Sequence, residues 1–524
     1  MAKKTLFSAF RQISGLTAVS RMLGFIRDVV FAHYLGAGAA TDAFLVAFKL
    51  PNLFRRLTAE GALTNAFLPS YSLARQQKSE HTAIILAAEV QTALFMGLCI
   101  IVLVMELFMP FIVVGLAPGF ETTPDRLNAA VDMARLTMPY LPMISLVALW
   151  AALLNSQDSY FGGAFAPVIL NACLIGGAFC VPFFQEQLHL SAAHLGLPIA
   201  LGVLLAGAGQ MILLQQQLRR QRIRLTLFRF SLSGQARKMW FSFIPAALGA
   251  GVIQINLLVD LVLASLLATG SISWLYYADR LAQLPLGLVG IAMGTALLPR
   301  LSRIEVEHHS TKQVKKQVFC SELSHAIIPV SILTIPAVAA FLVLSDVLIT
   351  GLFRSGEFLD SDATAAAWAL MAYAIGLPGF VGLKLTQAAL YAMERGRFVL
   401  VTSCASVGLN IVLSLALMQI YQHVGLALAT SLVSWVALIW QAGWLVRAGR
   451  LNGKATKVIL KAVLAAAVMA VGLHLCLPWL YVAFISESVI MIFSVVMGAS
   501  LYLFVGHLLG LTKAFLVSAK EQRA

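Results

Sequence analysis

Apolar blocks of about 20 residues or more follow one another along the whole chain, and a block of that length crosses a bilayer as a helix. Backbone groups in lipid must bond internally, which leaves helices or a closed barrel. The blocks are continuous runs, not alternations of apolar and polar residues, so they select helices. Only 11% of the 524 residues are charged and 60% are hydrophobic, where a soluble domain carries about 25% charged residues. The expectation is an all-α polytopic membrane protein with fourteen transmembrane helices. The first apolar segment is broken by Arg21, Arg27 and Asp28 and has no clear small-residue cleavage site, so no secretory signal peptide is expected. Six cysteines (Cys99, Cys173, Cys180, Cys320, Cys404, Cys476) form no CxxC pair and read as small buried hydrophobes.

An even number of spans puts both termini on one side. Counting alternate loops and both tails, that side holds 27 of the 37 Lys and Arg. Among them is the run Arg219, Arg220, Arg222, Arg224, Arg229, Arg237 and Lys238. The opposite loops hold Arg126 and Arg354. The positive-inside rule then places both termini in the cytoplasm. The same asymmetry accounts for most of the net charge of +14, and no nucleic-acid-binding motif accompanies it. No loop is long enough for an independent soluble domain, so function must lie within the helices.

A weak internal repeat is visible. AFLPSYS (66–72) resembles ALLPRLS (296–302), and Asp28 falls on Asp260 at a nearly equal offset. Six spans separate the copies, which suggests two parallel six-helix lobes. The expected layout is a first lobe at 1–218, a basic cytoplasmic loop at 219–237, a second lobe at 238–448, and two further helices with a tail at 449–524.

Charges inside the spans are the chemistry to be explained. Each is costly at bilayer depth and marks a cavity or substrate path unless it is paired. Arg21 and Asp28 are seven residues apart and share a helix face, so an ion pair between them is one reading. Arg27 lies off that face, and two arginines to one carboxylate leave positive charge over. The second span, 42–70, begins at Asp42. Pro51 and Asn52 are expected to interrupt its helix, followed at once by Arg55 and Arg56. Glu60 can pair with Arg56 four residues earlier, or the arginines snorkel to the interface. In the second half Asp279 and Arg280 follow two tyrosines. Asp260 sits mid-span and is protonated, paired or cation-bound. Facing Asn410, Ser414 and Thr430 it would complete an oxygen-rich Na⁺ or H⁺ site; neutral and hydrogen-bonded, it would be structural. Glu89, Glu106, Asp132, Arg135, Asp158 and Lys384 read as interfacial or singly paired. No Walker A loop, nucleophile elbow or zinc motif is present, so a transporter is expected and an enzyme is not.

Together RMLGFIRD, GAGAATDAFLVAFKLPNLFRRLTAEGA and SWLYYADRLAQLPLGLVGIAMGTALLP resemble the MurJ (MviN) lipid II flippases of the multidrug/oligosaccharidyl-lipid/polysaccharide exporter superfamily. The resemblance implies two lobes around a cationic cavity in the bacterial cytoplasmic (inner) membrane, and a groove at the last two spans for a polyprenyl tail. It implies lipid II as cargo, membrane lipids as surroundings, and cell-wall synthesis proteins as candidate partners. The family's functional charges match Arg21, Arg27, Asp28, Asp42, Arg55, Arg56, Glu60, Asp279 and Arg280, with Asn52 beside them. A sodium site of the family falls on Asp260, Asn410, Ser414, the Leu426 carbonyl and Thr430. Ser414 stands where a sodium-binding relative has a carboxylate, which removes a charge from that site. No cofactor is expected beyond Na⁺ or H⁺ as a coupling ion. The alternatives are a flippase for another polyprenyl-diphosphate-linked oligosaccharide and a cation-coupled drug antiporter. A membrane enzyme would need a larger outer loop, and a scaffold would leave the buried charges without a purpose.

Overall fold

The computed structural model describes residues 6–58, 62–77, 79–226, 229–231, 233–306 and 311–521. Among them the regular elements are helices throughout. Ten stretches are long and apolar enough to cross a membrane. The helices Leu6–Leu35 and Gly234–Ser265 are also long, at 30 and 32 residues. One stretch, Gly396–Arg447, has 52 residues, about 78 Å at 1.5 Å per residue and more than twice a bilayer core. It breaks at Gln422 (φ 50, ψ −129), so it holds two helices.

The chain divides into two compact units. The first holds Met1–Ser273 with Ser355–Phe358, and the second Trp274–Arg354 with Leu359–Ala524. In the first unit the Leu197–Arg220 helix packs on Phe161–Phe179 and Tyr140–Asn155, and Ala39–Thr58 packs on Pro124–Thr137. Side chains that point outward are apolar: Leu103, Leu107 and Phe111 are 63%, 69% and 77% exposed. Polar ones on the same helix region, Glu89, Gln91 and Thr92, are buried. That distribution suits lipid outside and satisfied polar groups inside. Glu89 is buried and not interfacial: the Ser233 amide and the Ser231 hydroxyl donate to it, and Arg229 is its single cationic partner among the described residues.

Pro51 does not interrupt its helix. Ala39–Thr58 runs through it unbroken, and the following helix is Ala62–Gln77. Proline leaves the carbonyl four residues earlier without its N–H donor. Here that carbonyl is Ala47, and it accepts from the Thr137 hydroxyl at 3.3 Å. The span expected at 42–70 is helical over its described residues, Ala39–Thr58 and from Ala62 onward, and residues 59–61 lie outside the described residues.

In the second unit Asp360–Ala392 packs between Lys312–Phe353 and Gly396–Arg447. The Ser431 hydroxyl donates to the Ala372 carbonyl at 2.7 Å and Ser434 to Gly376 at 3.1 Å. Such hydrogen bonds hold helices together where lipid removes the hydrophobic driving force. The two C-terminal helices, Thr456–Ala483 and Glu487–Leu508, close on Lys312–Phe353 through Ile332, Leu344, Met469, Leu473 and Ile490. Pro336 frees the Ile332 carbonyl, and Tyr502 donates its hydroxyl there at 2.8 Å. Both copies of the repeat motif lie on short helices with an internal proline, Pro69 in Ala62–Gln77 and Pro299 in Ala292–Val306. All six cysteines are free; Cys320 is buried, but Cys180 and Cys404 are exposed, against the reading of all six as buried.

Candidate functional site

In the first unit the helix Leu6–Leu35 carries Arg21, Arg27 and Asp28. Asp28 pairs with its neighbour Arg27, not with Arg21. Arg27 Nη2 and Nε lie 2.6 and 2.9 Å from Asp28 Oδ1. Adjacent helix positions are about 100° apart, and the long arginine side chain bends across that angle. Asn171, on the Phe161–Phe179 helix, holds it there. Its Oδ1 accepts from Arg27 Nη1 at 3.0 Å while its Nδ2 donates to the Ser20 carbonyl at 3.0 Å. Gly24 lies between these anchors and faces the Asn171 amide. Asp28 and Asn171 are buried, and the Arg27 side chain is 12% exposed. Arg21 is exposed, makes no ion pair among the described residues, and lines a cleft of about 270 Å³ with Ser20, Asn155 and Tyr160.

Asp42 lies apart from these arginines in a fully satisfied setting. Its Oδ2 accepts the Gly270 amide at 2.8 Å, and its Oδ1 accepts the Ser273 amide at 3.0 Å and hydroxyl at 2.6 Å. These amides begin the helix Ser271–Pro285, so Asp42 caps it from another part of the chain. Arg126 backs the carboxylate: its Nη1 is 3.8 Å from Asp42 Oδ2 and donates to Thr269 at 2.8 Å. Its guanidinium lies 3.7 Å from the Phe120 ring centroid. Asn52 and Arg55 share a turn, with Arg55 Nε donating to Asn52 Oδ1 at 3.1 Å. The Arg56 side chain and all of Glu60 lie outside the described residues.

In the second unit Asp279 and Arg280 are half-buried on Ser271–Pro285. Asp279 accepts from Gln283. Arg280 Nη2 donates to the Tyr276 hydroxyl at 2.9 Å, with its guanidinium 4.6 Å from that ring centroid. A π-helical stretch, Leu286–Ile291, follows at once, a form that recurs near functional positions.

The second unit also brings together most of the oxygens considered for a cation. The Thr430 hydroxyl lies 3.4 Å from Asn410 Oδ1 and 3.1 Å from the Leu426 carbonyl. Ser414 Oγ is buried and has no hydrogen-bond partner among the described residues. Asp260 belongs to the first unit, where it is half-buried and engaged in an interaction.

A family model described as Lipid II flippase MurJ matches residues 31–499, which take in Asp42, Arg55, Asp279 and Arg280. The chain belongs to the MurJ lipid II flippase family. A probable lipid II flippase MurJ from Rhizobium meliloti is 36% identical over 491 residues, covering 91% of this chain and 88% of that protein. One from Vibrio cholerae is 32% identical over 522 residues, covering 97% of each. A solved lipid II flippase MurJ in an inward closed conformation superposes with a TM-score of 0.77 at 23% identity, covering 95% of this chain and 98% of that one. An inward-facing multidrug resistance transporter of the MATE family superposes at 0.62 with 14% identity, covering 84% and 95%. At those identities the superpositions establish a shared fold. The MurJ membership and the ten membrane-length stretches make this a multi-pass membrane protein.

Two residues of the site have only faint sequence signals. Asn171 is a lone amide in an apolar run, and Arg126 is one of two cations in its loop set.

Proposed function

We propose that this chain moves lipid II, an undecaprenyl diphosphate bearing the peptidoglycan disaccharide-pentapeptide, from the cytoplasmic to the periplasmic leaflet. It performs no covalent chemistry. The observation that carries this reading is the MurJ family match over 31–499, joined to arginines built into the 30-residue helix Leu6–Leu35 and the membrane-length stretch Ser271–Val306. Guanidinium groups suit a diphosphate because their paired donors match its oxygens. Arg21, Arg27 and Arg280 are the proposed diphosphate contacts, and Asp28 orients Arg27. Arg55 with Asn52, and Arg56 with Glu60, are proposed for the cytoplasmic mouth, with both termini on that side of the bacterial inner membrane. The tail stays in lipid while the headgroup crosses by alternating access. The lobes proposed for that motion are 1–218 and 238–448, with 219–237 as the loop between them and 449–524 carrying the last two helices. Asp28 and Asp279 are proposed to keep the cavity from holding an anion too tightly.

Asn410, Ser414, the Leu426 carbonyl and Thr430 are neutral oxygen donors that fit a hard monovalent cation, and the Ser414 hydroxyl, without a partner among the described residues, supports it. They are proposed to hold Na⁺, and Asp260, in the first unit, is proposed separately as a group that takes up H⁺.

The test is complementation in cells depleted of their own lipid II flippase, reading lipid II at the periplasmic face. Rescue is expected from the wild type and not from Arg27→Ala at equal membrane levels. Failure of well-inserted wild type to rescue would move the assignment to another polyprenyl-diphosphate-linked sugar. Full export by both Arg27→Ala and Arg280→Ala would remove the arginines from the path.

A further inference from the structure

The segment joining Leu197–Arg220 to Gly234–Ser265 is held by buried polar side chains. Glu89, Gln91 and Thr92 lie within one turn of the Glu80–Leu107 helix and are 2%, 2% and 3% exposed. Glu89 Oε2 accepts the Ser233 amide at 3.0 Å and Oε1 accepts the Ser231 hydroxyl at 3.5 Å. The Thr92 hydroxyl accepts the Arg229 amide at 2.9 Å. Gln91 Nε2 donates to the Thr226 carbonyl at 3.5 Å, and Trp150 fixes Gln91 by donating to its Oε1 at 2.7 Å. Ile223, buried, pins the start of the segment. Keeping a loop on one side of a membrane needs its charge and not a fixed shape. Buried polar groups in a membrane-length helix are unfavourable unless they are satisfied. Here part of their satisfaction comes from Thr226, Arg229, Ser231 and Ser233, so the described residues of the loop are held in a specified place.

The loop presents cations. Arg219, Arg220, Arg222, Arg224, Arg237 and Lys238 are exposed, and among the described residues none has a carboxylate partner. Arg229 differs, with Nε 3.8 Å from Glu89 Oε1. Phe230 and Phe241 stand among them, 76% and 67% exposed, with the Arg237 guanidinium 5.8 Å from the Phe241 ring centroid. Arg219 and Arg220 close the last turn of a membrane-length helix, which sets the group at the level of lipid phosphates.

We infer that this loop is a shaped binding surface for anionic phospholipid headgroups. The arginines grip phosphate, and Phe230 enters the interfacial layer beside them. The surface is distinct from the diphosphate contacts proposed on Leu6–Leu35 and Ser271–Pro285 and does not depend on the cargo.

The test uses the purified full chain in nanodiscs of equal parts phosphatidylglycerol and phosphatidylcholine, with retained lipids counted by native mass spectrometry. Replacing Arg219, Arg220, Arg222 and Arg224 together by Gln is expected to lower the retained phosphatidylglycerol-to-phosphatidylcholine ratio about tenfold. A charge-matched variant, Lys312→Gln, Lys316→Gln, Arg447→Gln and Lys457→Gln, is expected to keep the wild-type ratio. Glu89→Gln separates shape from charge. It makes the protein more positive, so charge alone predicts a higher ratio, whereas a loop released from its anchor gives a lower one. An unchanged ratio in the loop variant, an equal loss in the charge-matched variant, or a rise in Glu89→Gln would each overturn the inference.

Discussion

The Thr137 hydroxyl reaches the Ala47 carbonyl, the group that Pro51 deprives of its helical partner, at 3.3 Å, and shares its hydrogen with the Ala134 carbonyl of its own helix at 3.2 Å. Tyr502 donates to the Ile332 carbonyl opposite Pro336, at 2.8 Å. Removing such a donor leaves a buried carbonyl unsatisfied, a loss of about 1–3 kcal/mol. Thr137→Val and Tyr502→Phe should each lower the unfolding free energy in detergent by that order, read as a fall in the thermal midpoint. Pairing Thr137→Val with Pro51→Ala, which restores the backbone donor, should recover most of the loss. No recovery in the double variant would refute the pairing.

Asp42 is expected to act as a cap and a counter-charge for Arg126. Breaking a buried ion pair from one side costs about 3–5 kcal/mol, because the remaining charge is left uncompensated. Asp42→Ala should therefore be strongly destabilising, and adding Arg126→Leu should restore part of the stability. Unfolding midpoints of the two single variants and the double variant give the coupling. Additive losses would mean that Arg126 and Asp42 act independently.

Gly36 and Gly356 should resist substitution. Both have positive φ, 65° and 58°. A Cβ at Gly356 would lie 2.2 Å from the His33 carbonyl oxygen, and one at Gly36 would lie 2.3 Å from that of Glu357. The Glu357 amide donates to the His33 carbonyl at 2.9 Å, so the two turns interlock through their backbones. Alanine at either position should lower stability by about 1–3 kcal/mol. Gly15→Ala, in open space on a helix, should be neutral or mildly stabilising. Equal midpoints for Gly356→Ala and Gly15→Ala would contradict the interlock.

The proposed cation site makes a prediction that does not depend on transport. A ligand that binds the folded state raises its stability. Thermal midpoints compared in Na⁺ and in K⁺ should show a Na⁺-specific rise for the wild type. The rise should be lost in Ser414→Ala, whose stability in K⁺ should be unchanged because Ser414 Oγ has no partner to lose among the described residues. Ser414→Asp should enlarge it. A flat response in all three proteins would retire the site.

What the sequence determined by itself are properties that add up along the chain. Apolar run length makes the helices, the distribution of Lys and Arg sorts the loops, and the charges within spans stand out against an apolar background. The family motifs were legible for the same reason, being contiguous. Partner choice was not. Arg27 meets Asn171 across 144 residues, Asp42 meets Ser273 across 231, and Thr137 reaches Ala47 across 90. Face-sharing along one helix pointed to Arg21 for Asp28, and a proline rule pointed to a break at Pro51. Both fail because a neighbouring helix supplies a hydrogen bond that one helix alone lacks. Only the packing of helices decides which carbonyl freed by a proline finds a hydroxyl, and which buried carboxylate finds an amide. Directional bonds of about 3 Å depend on faces that meet in space.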